Sequence, residues 1–228
     1  TLVIELANHF ISRGFKVGIV SRGYGRKHPK ETLLVNHDID PRFTGDEALL
    51  IWKKTKSPIC LGPNRNKSVQ ILSKLGVNLI ISDDGLQDYA FSRSLEICLF
   101  PDEKNMKNGL LLPLGPFREL PSRSETCDLV IGSKSGFCHS EANYMTYEIQ
   151  AIESLDSQYN FDITNWPHEK KIIAFCAIGN PCKFFQMLRD FGFEVVENAL
   201  PDHAFFSAFD FESLSPSRPI FITEKDAV

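Results

Sequence analysis

The chain has 228 residues, with 25 Lys and Arg against 29 Asp and Glu, for a formal net charge of −4. That balance argues against a protein built to grip a nucleic-acid backbone, which needs a basic face, and 43% hydrophobic with 24% charged residues excludes a disordered chain. The longest unbroken apolar run, 172–178, is far too short to cross a bilayer, and Thr1-Leu2-Val3 carries neither a basic leader nor a small-residue cleavage site, so no signal peptide is expected.

Leu2, Val3, Leu6 and Phe10 recur at helical spacing, and Gly14 stops them. Residues 16–20 form a short apolar run that predicts a buried strand. It ends in the basic, glycine-punctuated loop Ser21-Arg22-Gly23-Tyr24-Gly25-Arg26. Thr44 with Glu47 three residues on predicts a capping box and a helix over 44–55. Further strands are predicted at 58–61, 78–82, 95–100 and 129–131, with a helix over 64–75. Strands alternating with helices imply parallel pairing in a layered α/β sheet. From 132 to 168 the helical period disappears and the flanks of a strand expected over 144–152 are polar, so this stretch reads as a linker or hairpin region between two lobes. The α/β rhythm resumes with strands at 171–178, 194–196 and 219–223 and a helix over 181–191. The domain expectation is a core lobe over 1–133, a linker over 134–168 and a second, smaller α/β lobe over 169–228.

Six cysteines show no Cys-x-x-Cys spacing. Four of them, Cys60, Cys98, Cys127 and Cys176, lie in or beside apolar stretches, as buried thiols in a reducing compartment do.

Several patterns could carry chemistry. Asp83-Asp84 ends the apolar strand Ile80-Ile81-Ser82, where an open α/β sheet binds its ligands. A strand-end carboxylate is the usual second half of a P-loop nucleotide site, holding Mg²⁺, although Asp-Asp-Gly is also ordinary turn chemistry. Asp46 is not needed by the capping box, which leaves it as a candidate base at a helix start. Asp202-His203 places a carboxylate beside an imidazole in a loop, a pairing that also arises by chance. Arg22, Arg26 and Arg118, the last followed by Glu119, could clamp a phosphate or simply face solvent. Phe205, Phe206, Phe209 and Phe211 could face an acyl chain, with core packing the commoner role for such residues. Asn64-Arg65 and Asn180-Pro181 read as helix caps.

Taken in order, these stretches resemble the tetraacyldisaccharide 4′-kinase family of lipid A assembly. The matching segments are Val20–Arg26, Gly45-Asp46-Glu47, Asn64-Arg65, Asp83-Asp84-Gly85-Leu86-Gln87 and Leu112-Pro113-Leu114-Gly115-Pro116-Phe117-Arg118-Glu119, then Ala177-Ile178-Gly179-Asn180-Pro181 with Phe184-Phe185, Asp202-His203, and Thr223-Glu224-Lys225-Asp226-Ala227-Val228. The resemblance implies a P-loop fold in α/β/α layers with a second α/β lobe. It also implies transfer of the ATP γ-phosphoryl group to the 4′-hydroxyl of a tetraacylated glucosamine disaccharide 1-phosphate. Carried over by position, Asp46 and His203 form the catalytic pair, and Asp83, Asp84 and Glu119 serve Mg²⁺. Arg118 contacts nucleotide phosphate and Arg22 the substrate. The expected partner is the lipid substrate at the cytoplasmic face of a Gram-negative inner membrane, with no nucleic acid and no protein partner inferred.

The chain departs from the family pattern at Asp88, where His is usual, and at Ala204, where a second His or an aromatic is common. The family's Gly-Lys-Thr phosphate loop is expected just before Thr1, and with it the membrane-associating N-terminal helix, so the 228 residues are expected to be part of a longer protein. The competing readings are a metal-dependent phosphohydrolase using Asp83, Asp84 and His203, and a degenerate homologue that only binds.

Overall fold

The computed structural model describes residues 2–100, 109–133, 143–156, 158–204, 206 and 218–228. These form two compact units, one from 1–83 with 149–228 and the other from 84–148.

The first unit opens with α1 (Leu2–Ser12), which buries Ile4 and Ala7. Strands β1 (Val17–Ser21), β2 (Leu33–Val35), β3 (Ile59–Leu61) and β4 (Leu79–Ser82) assemble in the order β2-β3-β1-β4. β1 runs parallel to both β3 and β4, and parallel neighbours require the crossover helices that the alternating pattern predicts. β2 pairs antiparallel with β3. This strand escaped the sequence reading because its three residues, Leu33-Leu34-Val35, are too few to show a period.

The sheet is covered on both faces, as period-two alternation allows. Val17 and Ile19 join Ile4, Ala7, Ala48, Ile51 and Ile59 in one core. Val20 and Cys60 turn the other way, onto Leu72 of α4 (Arg65–Lys74). On that side a Cβ at Gly18 would lie 3.0–3.2 Å from the side chains of Val77 and Leu72, so any larger residue would press on the packing of α4. Each fully buried Ile or Leu contributes about 1.5–3 kcal/mol.

The expected helix at 44–55 is two helices, α2 (Pro41–Thr44) and α3 (Asp46–Thr55). The capping box does not form. Asp40 caps α2 by accepting from the Arg42 N–H, and Thr44, buried, ends that helix with its hydroxyl donating to the Gly45 carbonyl at 3.0 Å. Gly45 then stands at the start of α3 with φ of 80° and no side-chain cap. Pro41 explains the change, because it starts a helix of its own upstream and forces the break onto a glycine.

The second unit holds a parallel sheet of β5 (Ile97–Leu99), β6 (Leu129–Ser133) and β7 (Asn143–Met145). Glu96, before β5, is held by Arg93 at 2.5 Å and Arg123 at 2.6 Å. The strand expected within 144–152 is not continuous: β7 ends at Met145, and β8 (Ile152–Glu153) begins only after irregular chain.

Returning to the first unit, β8 pairs antiparallel with β9 (Asn160–Phe161). A parallel sheet of order β11-β10-β12 follows, from β10 (Lys171–Cys176), β11 (Glu194–Ala199) and β12 (Ile220–Ile222). α5 (Pro181–Asp190) packs Phe185 and Leu188 with Ile172, Ala174, Cys176 and Phe221, and is capped by Asn180. Cys60 and Cys176 are buried, Cys98 and Cys127 partly so, Cys182 is exposed, and all five are free thiols. Cys138, Phe205, Phe209 and Phe211 lie outside the described residues, and the Phe206 ring sits 5.9 Å from that of Phe175.

Candidate active site

Parallel sheets gather ligand-binding groups at the carboxyl ends of their strands, and the first unit has two such ends. β4 delivers Asp83, whose N–H donates to the Val20 carbonyl at 2.9 Å and whose Oδ2 accepts from the Ser21 hydroxyl at 3.1 Å. Arg65 is buried, with its guanidinium donating to the Asp83 carbonyl at 2.7 Å. Arg65 therefore does more than the helix start assigned to it: it braces the strand end that carries the carboxylate.

At the end of the other sheet, His203 follows β11. Its N–H donates to the Ala177 carbonyl, just past β10, and its φ is 63°. A left-handed backbone at a residue with a side chain is costly and persists where the surroundings fix it. Here Leu200 N–H bonds Cys176 O and Ala204 N–H bonds Pro201 O, closing the turn on both sides of His203.

Asp46 and His203 are brought together. His203 Nδ1 lies 3.1 Å from Asp46 Oδ1 and 3.0 Å from Oδ2, with the two side chains 23% and 21% exposed. Gly45 makes the approach possible: a Cβ there would fall 2.7 Å from the Tyr24 carbonyl. Glu47 N–H donates to Asp46 Oδ1 at 2.8 Å, so the carboxylate caps its own helix while facing the imidazole. The Tyr24 ring, exposed on the glycine-rich loop after β1, lies 5.4 Å from the His203 ring.

Lys225 completes this cluster, and the sequence reading gave it no role. Its side chain is 14% exposed, with Nζ 2.9 Å from Asp202 Oδ1 and 3.5 Å from Asp46 Oδ2. His203 Nε2 lies 3.7 Å from Asp202 Oδ2. Burial alone would lower the Lys225 pKa, but the Asp202 hydrogen bond and the charges of Asp46, Asp202 and Glu47 outweigh it and hold the ammonium above its ordinary value. The signal was present in Thr223-Glu224-Lys225-Asp226, a lysine among acids at the end of an apolar strand.

The arginines divide. Arg22 lines a surface recess of about 550 Å³ with Tyr24, Arg26, Pro29 and Pro63. Arg26 is buried and donates to the carbonyls of Pro29 and Glu31, so it shapes the loop and is not a free phosphate clamp. In the second unit, Arg118 Nη1 donates to both Asp84 oxygens, at 2.8 and 2.7 Å. Glu119 accepts from Gln87 at 2.8 Å and from the Tyr89 hydroxyl, and these bonds, the Tyr89 bond foremost, lower its pKa. Asp88 accepts from the Ala90 N–H at 3.2 Å, a turn-forming role. Among the described residues no group of three or more His, Cys, Asp or Glu side chains converges as a metal cluster would. No helix among them is long and apolar enough to cross a membrane.

The profile of the LpxK family, described as tetraacyldisaccharide-1-P 4′-kinase, matches residues 1–228. The tetraacyldisaccharide 4′-kinase of Histophilus somni is 38% identical over 231 residues, covering 100% of this chain and 69% of the relative. That of Haemophilus influenzae is 37% identical, covering 100% of this chain and 68% of its own. A crystal structure of LpxK from Aquifex aeolicus in complex with ATP superposes with a TM-score of 0.76 at 27% identity, over 99% of this chain and 73% of that one. The likeness extends to the α/β architecture and its parallel sheets. With the family profile spanning every residue and relatives of 37–38% identity covering the whole of this chain, the chain belongs to the tetraacyldisaccharide 4′-kinase family.

Proposed function

We propose that this chain supplies most of a kinase that moves the γ-phosphoryl group of ATP to the 4′-hydroxyl of a tetraacyldisaccharide 1-phosphate. The Asp46–His203 pair carries the proposal, because phosphoryl transfer asks of the protein mainly positioning, charge neutralisation and one proton acceptor. Asp46, oriented by His203 Nδ1, takes the hydroxyl proton as the oxygen bonds to phosphorus and the bond to the departing diphosphate breaks.

The donor chemistry fits Mg²⁺, which keeps several waters and substrate phosphates and needs only one or two carboxylates. Asp83 is the leading donor, at a strand end beside the Ser21 hydroxyl. Asp84 and Glu119 are the further carboxylates proposed to serve the ion; Asp84 is now paired with Arg118, and Glu119 accepts from Gln87 and Tyr89. The ion would neutralise phosphate charge as it builds up during transfer. Arg118, once released by Asp84, and Arg22, on the recess, are the proposed phosphate and substrate contacts. The acylated substrate places the protein at a membrane surface, and we assign the cytoplasmic face of the Gram-negative inner membrane. The exposed run Leu110, Leu111, Leu112 and Leu114 supports a lipid-facing surface. The core lobe is proposed as 1–133, the linker as 134–168 and the second lobe as 169–228.

The test is phosphorylation of the disaccharide by a full-length protein carrying this chain, with Asp46→Ala as control. Transfer of radiolabelled phosphate by wild type and not by the variant supports the assignment. An active Asp46→Ala enzyme would remove Asp46 from the reaction.

A further inference from the structure

We propose that Lys225 is a positioning residue of the Asp46–His203 pair, acting through a closed ring of alternating charges. The proposal rests on the kinase reading of this site.

Going round the ring, Asp46 faces His203 Nδ1 at 3.0 Å, and His203 Nε2 faces Asp202 at 3.7 Å. Asp202 then meets Lys225 Nζ at 2.9 Å, and Lys225 returns to Asp46 at 3.5 Å. Each cationic group touches both carboxylates, and each carboxylate touches both cationic groups. With His203 neutral, the ring holds two negative charges and one positive. A proton arriving on His203 brings it to neutrality. Lys225 therefore sets a fixed positive charge 3.5 Å from Asp46 Oδ2, which holds that carboxylate in place beside His203. Its bond to Asp202 at 2.9 Å likewise fixes the carboxylate that His203 Nε2 faces.

Fixed placement of the lysine follows from the turn that carries it. Asp226, the next residue, accepts from the Ala177 N–H at 3.2 Å and from the Thr223 hydroxyl at 2.6 Å. Ala177 is also the residue whose carbonyl binds the His203 N–H, so one backbone position past β10 anchors both the imidazole and the lysine turn. A lysine present only for solubility would point outward, whereas this one is largely buried between two acids. The charged groups acting on Lys225 are Asp46, Asp202, Glu47 and Asp226, and those acting on His203 are Asp46, Asp202 and, through space, Glu47.

The test compares Lys225→Met, Lys225→Gln and Lys225→Arg in the full-length protein, by steady-state kinetics across pH and by NMR titration of the His203 ring, assigned with His203→Gln. Removing the charge lowers kcat about 10- to 100-fold, leaves KM for ATP within about twofold, and displaces the His203 ring titration from that of wild type. Lys225→Arg restores most of kcat and returns the titration toward wild type. An unchanged His203 titration in both neutral variants overturns the proposal, whether kcat survives or falls with the melting temperature, because a purely structural lysine would leave the imidazole alone. A wild-type protein that transfers no phosphoryl group overturns the kinase reading instead, and the His203 titration still decides the role of Lys225.

Discussion

His203 Nδ1 rests between the two carboxylate oxygens of Asp46, at 3.0 and 3.1 Å, across 157 residues of chain. Neither residue is within sequence reach of the other: Asp46 opens α3, and His203 lies in the turn after β11. If the two act as a unit, their substitutions cannot add. Asp46→Ala, His203→Ala and the double variant are each expected to lower kcat by about 10²- to 10⁴-fold, with the double no worse than the stronger single. A double-mutant cycle on the phosphorylation rate measures this, and fully multiplicative losses would argue for independent roles.

Gly45 allows the helix carrying Asp46 to begin against the Tyr24 carbonyl. Its φ of 80° and the 2.7 Å contact that a Cβ would make both penalise any side chain. Gly45→Ala is expected to destabilise the protein by about 1–3 kcal/mol, lowering the melting temperature by about 2–4 °C per kcal/mol. Calorimetry of the pair decides it, and an unchanged melting temperature would mean that the backbone relaxes freely there.

Asp226 gives a pH dependence with a definite sign. Burial pushes its carboxyl above the ordinary 3.8, outweighing the Thr223 and Ala177 hydrogen bonds and the Lys225 charge. The folded state thus holds this proton more tightly than the unfolded state does. The resulting stability is full below the ordinary carboxylate pKa and is lost as pH rises through the raised one. Asp226→Asn, which cannot ionise, is therefore expected to gain stability relative to wild type as pH climbs through that window. Urea melts of both proteins across the acid range test it, and a constant difference would refute the shift.

The thiols should label unevenly. Burial pushes the Cys98 and Cys176 thiols up to about 11, and Cys182 is exposed on α5. Thiolate is the reactive form. With iodoacetamide at neutral pH, the Cys182 peptide is expected to be modified first among the five described cysteines and the Cys176 peptide last, as read by mass spectrometry over time. Equal rates would mean that the fold opens readily around β10.

The strands and helices were largely legible from sequence because hydrophobic period and punctuation are local quantities. The strands expected over 16–20 and 171–178 form as β1 (Val17–Ser21) and β10 (Lys171–Cys176). Where the reading failed, a neighbour decided the outcome. Thr44-x-x-Glu47 satisfies the capping-box pattern, yet Pro41 had already started another helix and Tyr24 demanded a glycine. Arg26 and Arg118 looked alike as loop arginines, but one is buried against its own loop and the other lies on Asp84.

The sequence alone determined the α/β class, the strand-end carboxylate Asp83 and, through its ordered motifs, the family resemblance that paired Asp46 with His203. Only the tertiary structure placed Lys225 and Asp202 in one ring with that pair, and only it showed Arg65 bracing Asp83. The reason is physical. Periodicity and turn chemistry act over a few residues and leave a mark in the chain, whereas Coulombic pairing depends on distance in space. That distance is set only when the start of α3 and the carboxyl ends of β10, β11 and β12 come to the same place.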